Sequence, residues 1–243
     1  MILLLFDIDG TLISTDGAGM RAFHRALGKV FDIRIENQRI RPDGKTDPLI
    51  LKEILAQYHL SGRWCMDAQQ EMFSWYLEFL EDEMAKILKT GRIQVLPGVH
   101  PFLKALSSES DFALGLATGN LEGGARIKLK NAGLNDFFHF GGFGSDSEDR
   151  TNLTRIAIQR GMHHVHPSLV DGIFVIGDTP FDVMHGRKAG AFTIAVASGG
   201  YGIDELRACD PDLVLPDLIP AEPVISFMRT RVRPPSISKN KTL

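Results

Sequence analysis

The chain has 243 residues, 44% hydrophobic and 23% charged, and 27 Lys and Arg stand against 30 Asp and Glu for a net charge of −3. Those balances fit a soluble globular chain, one large domain or one domain with a sizeable insertion, and exclude both wholesale disorder and the basic excess of a nucleic-acid surface. Cys65 and Cys209 are too few and too far apart for a disulfide scaffold or a metal-binding spacing.

The apolar opening, Met1–Phe6, is far shorter than the ~20 residues of a membrane span and lacks the basic start of a secretory signal. A cytoplasmic chain with no membrane partner is therefore expected. Ile2–Phe6 reads instead as a strand buried on both faces, ending at Asp7. From residue 15 to about 94 the pattern turns helical, over Arg21–Phe31, Asp47–Tyr58 and Met66–Leu88. Gly17, Gly19, Pro97 and Gly98 punctuate its two connections.

Further apolar runs follow at Phe112–Ala117, Ile173–Ile176, Phe192–Val196 and Leu213–Leu215. They alternate with helical stretches at Pro101–Ser107, Leu121–Ala132, Thr151–Arg160 and Phe181–Ala189. Strands alternating with helices predict a Rossmann-like α/β core with a parallel sheet. The expected division is a core of residues 1–14 and 95–228, a helical cap of 15–94, and a frayed basic tail of 229–243.

In open α/β sheets ligands bind beyond the carboxyl ends of the strands. Three such ends carry polar residues: Asp7-Ile8-Asp9-Gly10-Thr11-Leu12, Thr118-Gly119-Asn120 and Gly177-Asp178-Thr179-Pro180-Phe181-Asp182. One crevice would then gather Asp7, Asp9, Asp178 and Asp182. Four carboxylates that close repel unless a cation joins them, and an all-oxygen donor set suits Mg²⁺, which in turn favours phosphate oxygens. Taken singly, each acid also reads as a turn or helix cap, as does Thr118. The conjunction of three strand ends favours chemistry.

These three segments resemble motifs one, two and four of the haloacid dehalogenase-like hydrolase superfamily. The resemblance runs from Ile2 to about Leu218. It includes Lys188-Ala189-Gly190-Ala191 and Val196-Ala197-Ser198-Gly199, which are similar to phosphoglycolate-phosphatase-like members. It implies an inserted all-helical cap and a Mg²⁺-dependent phosphatase acting on a small phosphorylated substrate. It further implies Asp7 as nucleophile, Asp9 as acid and base, and Thr118 with Gly119 and Asn120 around the phosphoryl group. Asp7, the Asp9 backbone carbonyl, Asp178 and Asp182 would hold the metal.

The third motif departs from the family pattern, which supplies a Lys. Its place falls in Ser147-Glu148-Asp149-Arg150-Thr151, where Arg150 is the best candidate. Arg keeps the charge and adds bidentate phosphate geometry. Lys128 and Lys130, in the preceding helix, fit less well. The retained Asp9 favours a phosphatase over a dehalogenase or phosphonatase. A phosphomutase of the β-phosphoglucomutase type, or a phosphoryl-binding regulatory protein without turnover, remain the alternatives.

In the cap, Arg41 and Lys45 of the Arg41–Pro48 turn are candidates to meet the substrate, with a solvated turn as the plain alternative. Arg21 and Arg25 share a helix face that reads as solvated. Gly141-Gly142-Phe143-Gly144 reads as a glycine-rich turn, His163-His164-Val165-His166 as a surface loop, and Trp64, Phe73, Trp75, Tyr76 and Phe79 as cap packing.

Overall fold

The computed structural model describes residues 1–35 and 42–232. In chain order the elements are β1 (Ile2–Phe6), β2 (Ile13–Ser14), α1 (Ala18–Phe31), α2 (Asp47–Gln57), α3 (Met66–Lys89), β3 (Gln94–Val95), α4 (Val99–Ser107), β4 (Phe112–Ala117), α5 (Glu122–Asn131), β5 (Phe140–Gly142), α6 (Arg150–Val165), β6 (Gly172–Gly177), α7 (Pro180–Lys188), β7 (Phe192–Val196), α8 (Ile203–Arg207), β8 (Leu213–Leu215) and α9 (Ala221–Arg231).

Six strands form one parallel sheet in the order β5-β4-β1-β6-β7-β8. The all-apolar β1 takes the centre, and Leu3, Leu4, Leu5 and Phe6 are wholly buried. Each such side chain contributes roughly 1.5–3 kcal/mol through burial. Its even side chains pack with α4, α5 and α9, and its odd ones with α6. Register then places the site. Phe6 lies opposite Leu116 of β4 and Ile176 of β6, so the residues after all three strands emerge side by side.

Helices α1, α2 and α3 form the inserted cap, around a separate apolar cluster that includes Phe23, Leu51, Met72 and Tyr76. The β2–β3 ribbon pairs Ile13 with Val95 and Ser14 with Gln94, so the chain enters and leaves the helical block at one place. The cap is seated on the core through the turn before α2. There the Asp47 N–H donates to the Gly119 carbonyl at 2.8 Å, the Leu121 N–H donates to Asp47 Oδ2 at 2.8 Å, and the Thr46 hydroxyl donates to the Glu148 carbonyl at 3.0 Å.

Several expectations change. Gly141 and Gly142 belong to edge strand β5, because a side chain at Gly142 would collide with the Leu153 backbone of α6. His163 and His164 form the last turn of α6 rather than a loop, and the helix stops where His166 takes φ 76° before Pro167. Arg229–Arg231, placed in the tail, close α9, with Arg229 paired to Glu109 and Asp111 at 3.1 Å. The rest of that tail, 233–243, lies outside the described residues, as does Arg41. Arg21 and Arg25 do lie on an exposed face, with 45% and 36% of their side chains accessible, but they are tied down. Both pair with the buried Glu83 of α3, at 3.0 and 2.9 Å.

Candidate active site

The crevice beyond β1, β4 and β6 opens into a cavity of about 270 Å³. Asp7, Asp178 and Asp182 are all buried, and one carboxylate oxygen from each lies within 4.8 Å of the others. Asp7 and Asp178 follow the ends of β1 and β6. Asp182 comes from the first turn of α7. Thr179 caps that helix, its side chain accepting from the Asp182 N–H at 3.3 Å, while Asp182 Oδ2 accepts from the Thr179 N–H at 3.0 Å. Asp182 thus caps the helix through one oxygen while its other oxygen faces Arg150.

Arg150 is the first residue of α6, started by the Asp149 side chain accepting from the Asn152 N–H at 3.0 Å. Its buried guanidinium pairs with Asp182 and lies 3.5 Å from Asp7 Oδ2. Burial lowers the pKa of this guanidinium, but Asp182 and Asp7 outweigh it and raise the pKa, so Arg150 stays charged.

One cation does not balance three buried acids. Burial, reinforced by Asp182 and Asp7, pushes the Asp178 carboxyl up to about 8. Burial also raises Asp7 to about 6, with Arg150 and Thr118 pulling it down and Asp182 pushing it up. A dry, all-oxygen cluster with surplus negative charge suits a hard divalent cation. The residues present fit that group.

Gly10 lets the chain turn between these acids. Its φ is 82°, and a side chain there would run into the Asp178 carboxylate. Thr11 donates its hydroxyl to Asp178 Oδ1 at 2.8 Å. Thr118, wholly buried, accepts at its hydroxyl oxygen from Asn120 Nδ2 at 2.9 Å. Gly119 turns its carbonyl to the cap, and any side chain on it would strike the Lys45 carbonyl.

Asp9 faces the cavity with 44% of its side chain exposed. Its Oδ2 accepts from Asn120 Nδ2 at 2.9 Å and from Lys128 Nζ at 2.5 Å, while Lys128 also donates to Asn120 Oδ1 at 2.7 Å. Lys128, set behind Arg150 on sequence position, therefore enters the site as well, while Lys130 is exposed. The overlooked signal was its place on the buried face of α5, with Gly124, Ala125 and Leu129. A lysine on such a face needs a partner.

On the cap side Met20, Phe23, Ile50 and Tyr76 line the cavity together with Pro42–Lys45. Tyr76, read as packing, does both, stacking edge-on against Phe23 at 5.2 Å and reaching the cavity. Lys45 lines the wall, but its ammonium is held by Glu53 of α2 at 2.6 Å.

Sheet, carboxylate cluster and helical lid together define a capped α/β enzyme. The sequence profile of the haloacid dehalogenase-like hydrolases matches residues 4–196, and the chain belongs to that family. Pyrophosphatase PpaX of Halalkalibacterium halodurans is 25% identical over 221 residues, covering 89% of this chain and 94% of that protein. Among solved structures, β-phosphoglucomutase from Clostridium difficile superposes with a TM-score of 0.68 at 16% identity, covering 95% of this chain and 98% of that one. A haloacid dehalogenase-like family hydrolase from Streptococcus pneumoniae gives 0.62 at 20% identity, covering 93% and 97%. At such identities the two structures speak for the fold alone.

Proposed function

We propose that the protein is a Mg²⁺-dependent phosphatase that hydrolyses a small phosphate monoester or anhydride through an aspartyl-phosphate on Asp7. Residues 1–14 and 95–228 are its catalytic core and 15–94 its cap. The observation that carries this reading is the pair of carboxylates at the end of β1, held differently. Asp7 is buried beside Arg150, and Asp9 faces the cavity. The similarity to a pyrophosphatase over most of both chains supports the reaction class.

Asp7 supplies the oxygen that attacks phosphorus, and the bond from phosphorus to the leaving oxygen breaks as the new one forms. Asp9 gives its proton to the leaving oxygen. It then takes a proton from the water that attacks the aspartyl-phosphate, returning Asp7 as carboxylate and releasing inorganic phosphate. Arg150, the Thr118 hydroxyl and the loop through Gly119 and Asn120 surround the phosphoryl oxygens, where fixed positive and N–H groups stabilise the charge that spreads there. Asp7, the Asp9 carbonyl, Asp178 and Asp182 would hold Mg²⁺, which when bound would neutralise the acid cluster and polarise the phosphoryl oxygens. The seated cap covers the crevice with Met20, Phe23, Ile50 and Tyr76.

The test is hydrolysis of an aryl phosphate with and without Mg²⁺, in the wild type and in Asp7→Asn. Phosphate release that needs the metal and disappears in the variant is expected. Metal-free turnover, or a variant with wild-type activity, would overturn the mechanism.

A further inference from the structure

Lys128 sits in the last turn of α5 with only 5% of its side chain exposed, yet it borders the cavity. An ammonium carries three N–H donors. Asp9 Oδ2 takes one at 2.5 Å and Asn120 Oδ1 another at 2.7 Å. Among the described residues no acceptor takes the third. Opposite it stands Gly19 of α1, where a β-carbon would come within 3.3 Å of the ammonium and 3.9 Å of the Tyr76 hydroxyl. A side chain at Gly19 would press on the ammonium, so Lys128 reaches the cavity while packed closely against α1.

The two buried cations serve opposite ends of the reaction. Arg150 touches Asp7 and Asp182, at the attacking end. Lys128 touches Asp9, the residue that meets the leaving oxygen. In an in-line displacement those ends lie on opposite sides of phosphorus, so an ammonium against Asp9 faces what lies beyond the scissile oxygen. Among the described residues of the cap, Lys45 is engaged by Glu53 at 2.6 Å, and Arg21 and Arg25 by Glu83 at 3.0 and 2.9 Å. Met20, Phe23 and Ile50 offer apolar contact on the same wall, beside the polar Asp43, Asp47 and Tyr76.

We propose that Lys128 selects the leaving group, and that preferred substrates carry a second anionic group, carboxylate or phosphate, one or two bonds beyond the scissile oxygen. This rests on the phosphatase reading above. The ammonium is already paired with Asp9, and a neutral leaving group would leave its third N–H without the acceptor that an anion supplies. Specificity of this kind comes from a polar group built into the wall, whereas an apolar wall discriminates weakly.

The experiment compares inorganic pyrophosphate, 2-phosphoglycolate and ethyl phosphate at saturating Mg²⁺, in the wild type, Lys128→Met and Lys128→Arg. The wild type is expected to favour both anionic substrates over ethyl phosphate in kcat/KM by at least about 100-fold. Lys128→Met should bring that ratio close to one, losing most on the anionic substrates, and Lys128→Arg should restore part of it. An equal loss on all three substrates would overturn the proposal, because Lys128 would then act on the transferred phosphoryl group or only through Asp9. Preference for pyrophosphate or for phosphoglycolate tells which anion the wall fits. A binding arm separates this proposal from the reaction itself. Asp7→Asn protein should bind 2-phosphoglycolate more tightly than ethyl phosphate by calorimetry, and Asp7→Asn/Lys128→Met should not. Equal binding of the two ligands by Asp7→Asn would sink the selectivity even if hydrolysis is confirmed. A binding preference without hydrolysis would sink the reaction and leave the selectivity standing.

Discussion

The cavity has two walls built in different ways. On the core side Asp7, Thr118 and Asp178 each follow a buried strand directly, and the parallel register of β1, β4 and β6 fixes their spacing. On the cap side Met20, Ile50 and Tyr76 come from three helices whose place over the core depends on contacts around Asp47 and Gly119 and on the packing of α3 against Gly123 and Gly124 of α5. The first wall is positioned by the hydrogen-bond ladder of a sheet, which is stiff and local. The second is positioned by docking, which has to close before it can contribute. In the mechanism proposed above, the reacting groups, which tolerate little misplacement, sit on the sheet, and the residue proposed to discriminate between substrates sits where the two walls meet.

The sharpest way to break this contrast is at Asp7. Asp7→Asn keeps the shape and removes the nucleophilic charge, so turnover should fall by at least about 10⁴-fold while the cap remains seated. Hydrolysis assays beside a thermal melt would check both halves. Next in size is Arg150→Ala. Arg150 is the one cation in contact with Asp7 and Asp182 among the described residues, and its loss leaves two buried acids facing each other. A fall in kcat of about 10²–10³-fold is expected, with Arg150→Lys between the two. A near-normal rate in Arg150→Ala would move the third-motif role elsewhere.

The same contrast explains what was legible in the sequence. The strands Ile2–Phe6 and Phe112–Ala117 run as their apolar stretches indicate because both are buried throughout, and Phe192–Val196 and Leu213–Leu215 match their runs as well. Asp7, Asp9, Thr118 and Asp178 were legible for the same reason: each stands where such a run stops. Strand β5 was hidden because Gly141 and Gly142 are chosen for the close approach of α6, a tertiary demand with no local pattern. Lys128 was placed behind Arg150 because nothing local says that the buried face of α5 looks toward Asp9. Lys45 was legible as a cation near the site, but its partner Glu53 was not, since pairing across the start of α2 depends on how the turn folds.

Asp47 tests the docking itself. Its buried carboxyl is pushed up to about 6, chiefly by desolvation, with Lys128 and the Leu121 N–H pulling it down and Asp9 pushing it up. Between the ordinary value of 3.8 and about 6 the folded state binds more protons than the unfolded state. Stability from this group is therefore full below that window and is lost as pH rises through it. A shift of about two units corresponds to at most ~3 kcal/mol. Asp47→Asn keeps an acceptor for the Leu121 N–H and removes the titration. The stability of wild type minus variant, from urea unfolding, should then drop by ~1–3 kcal/mol between pH 4 and pH 7. A difference that stays flat would mean that the carboxylate is not confined between cap and core.

The smallest effect is expected at Lys45, and it separates a cation that lines the cavity from one that serves it. Lys45 and Glu53 are 26% and 36% exposed, and they pair at 2.6 Å within the cap. Exposed pairs of this kind contribute under about 1 kcal/mol. Removing the ammonium leaves Glu53 in contact with water rather than buried, so no unpaired charge is trapped. Lys45→Met should therefore change kcat/KM on any of the three substrates by less than about threefold, whereas Lys128→Met changes the ratio among them. A large and selective loss in Lys45→Met would show that the pair opens when substrate binds, and would move recognition of the leaving group from α5 to the turn before α2.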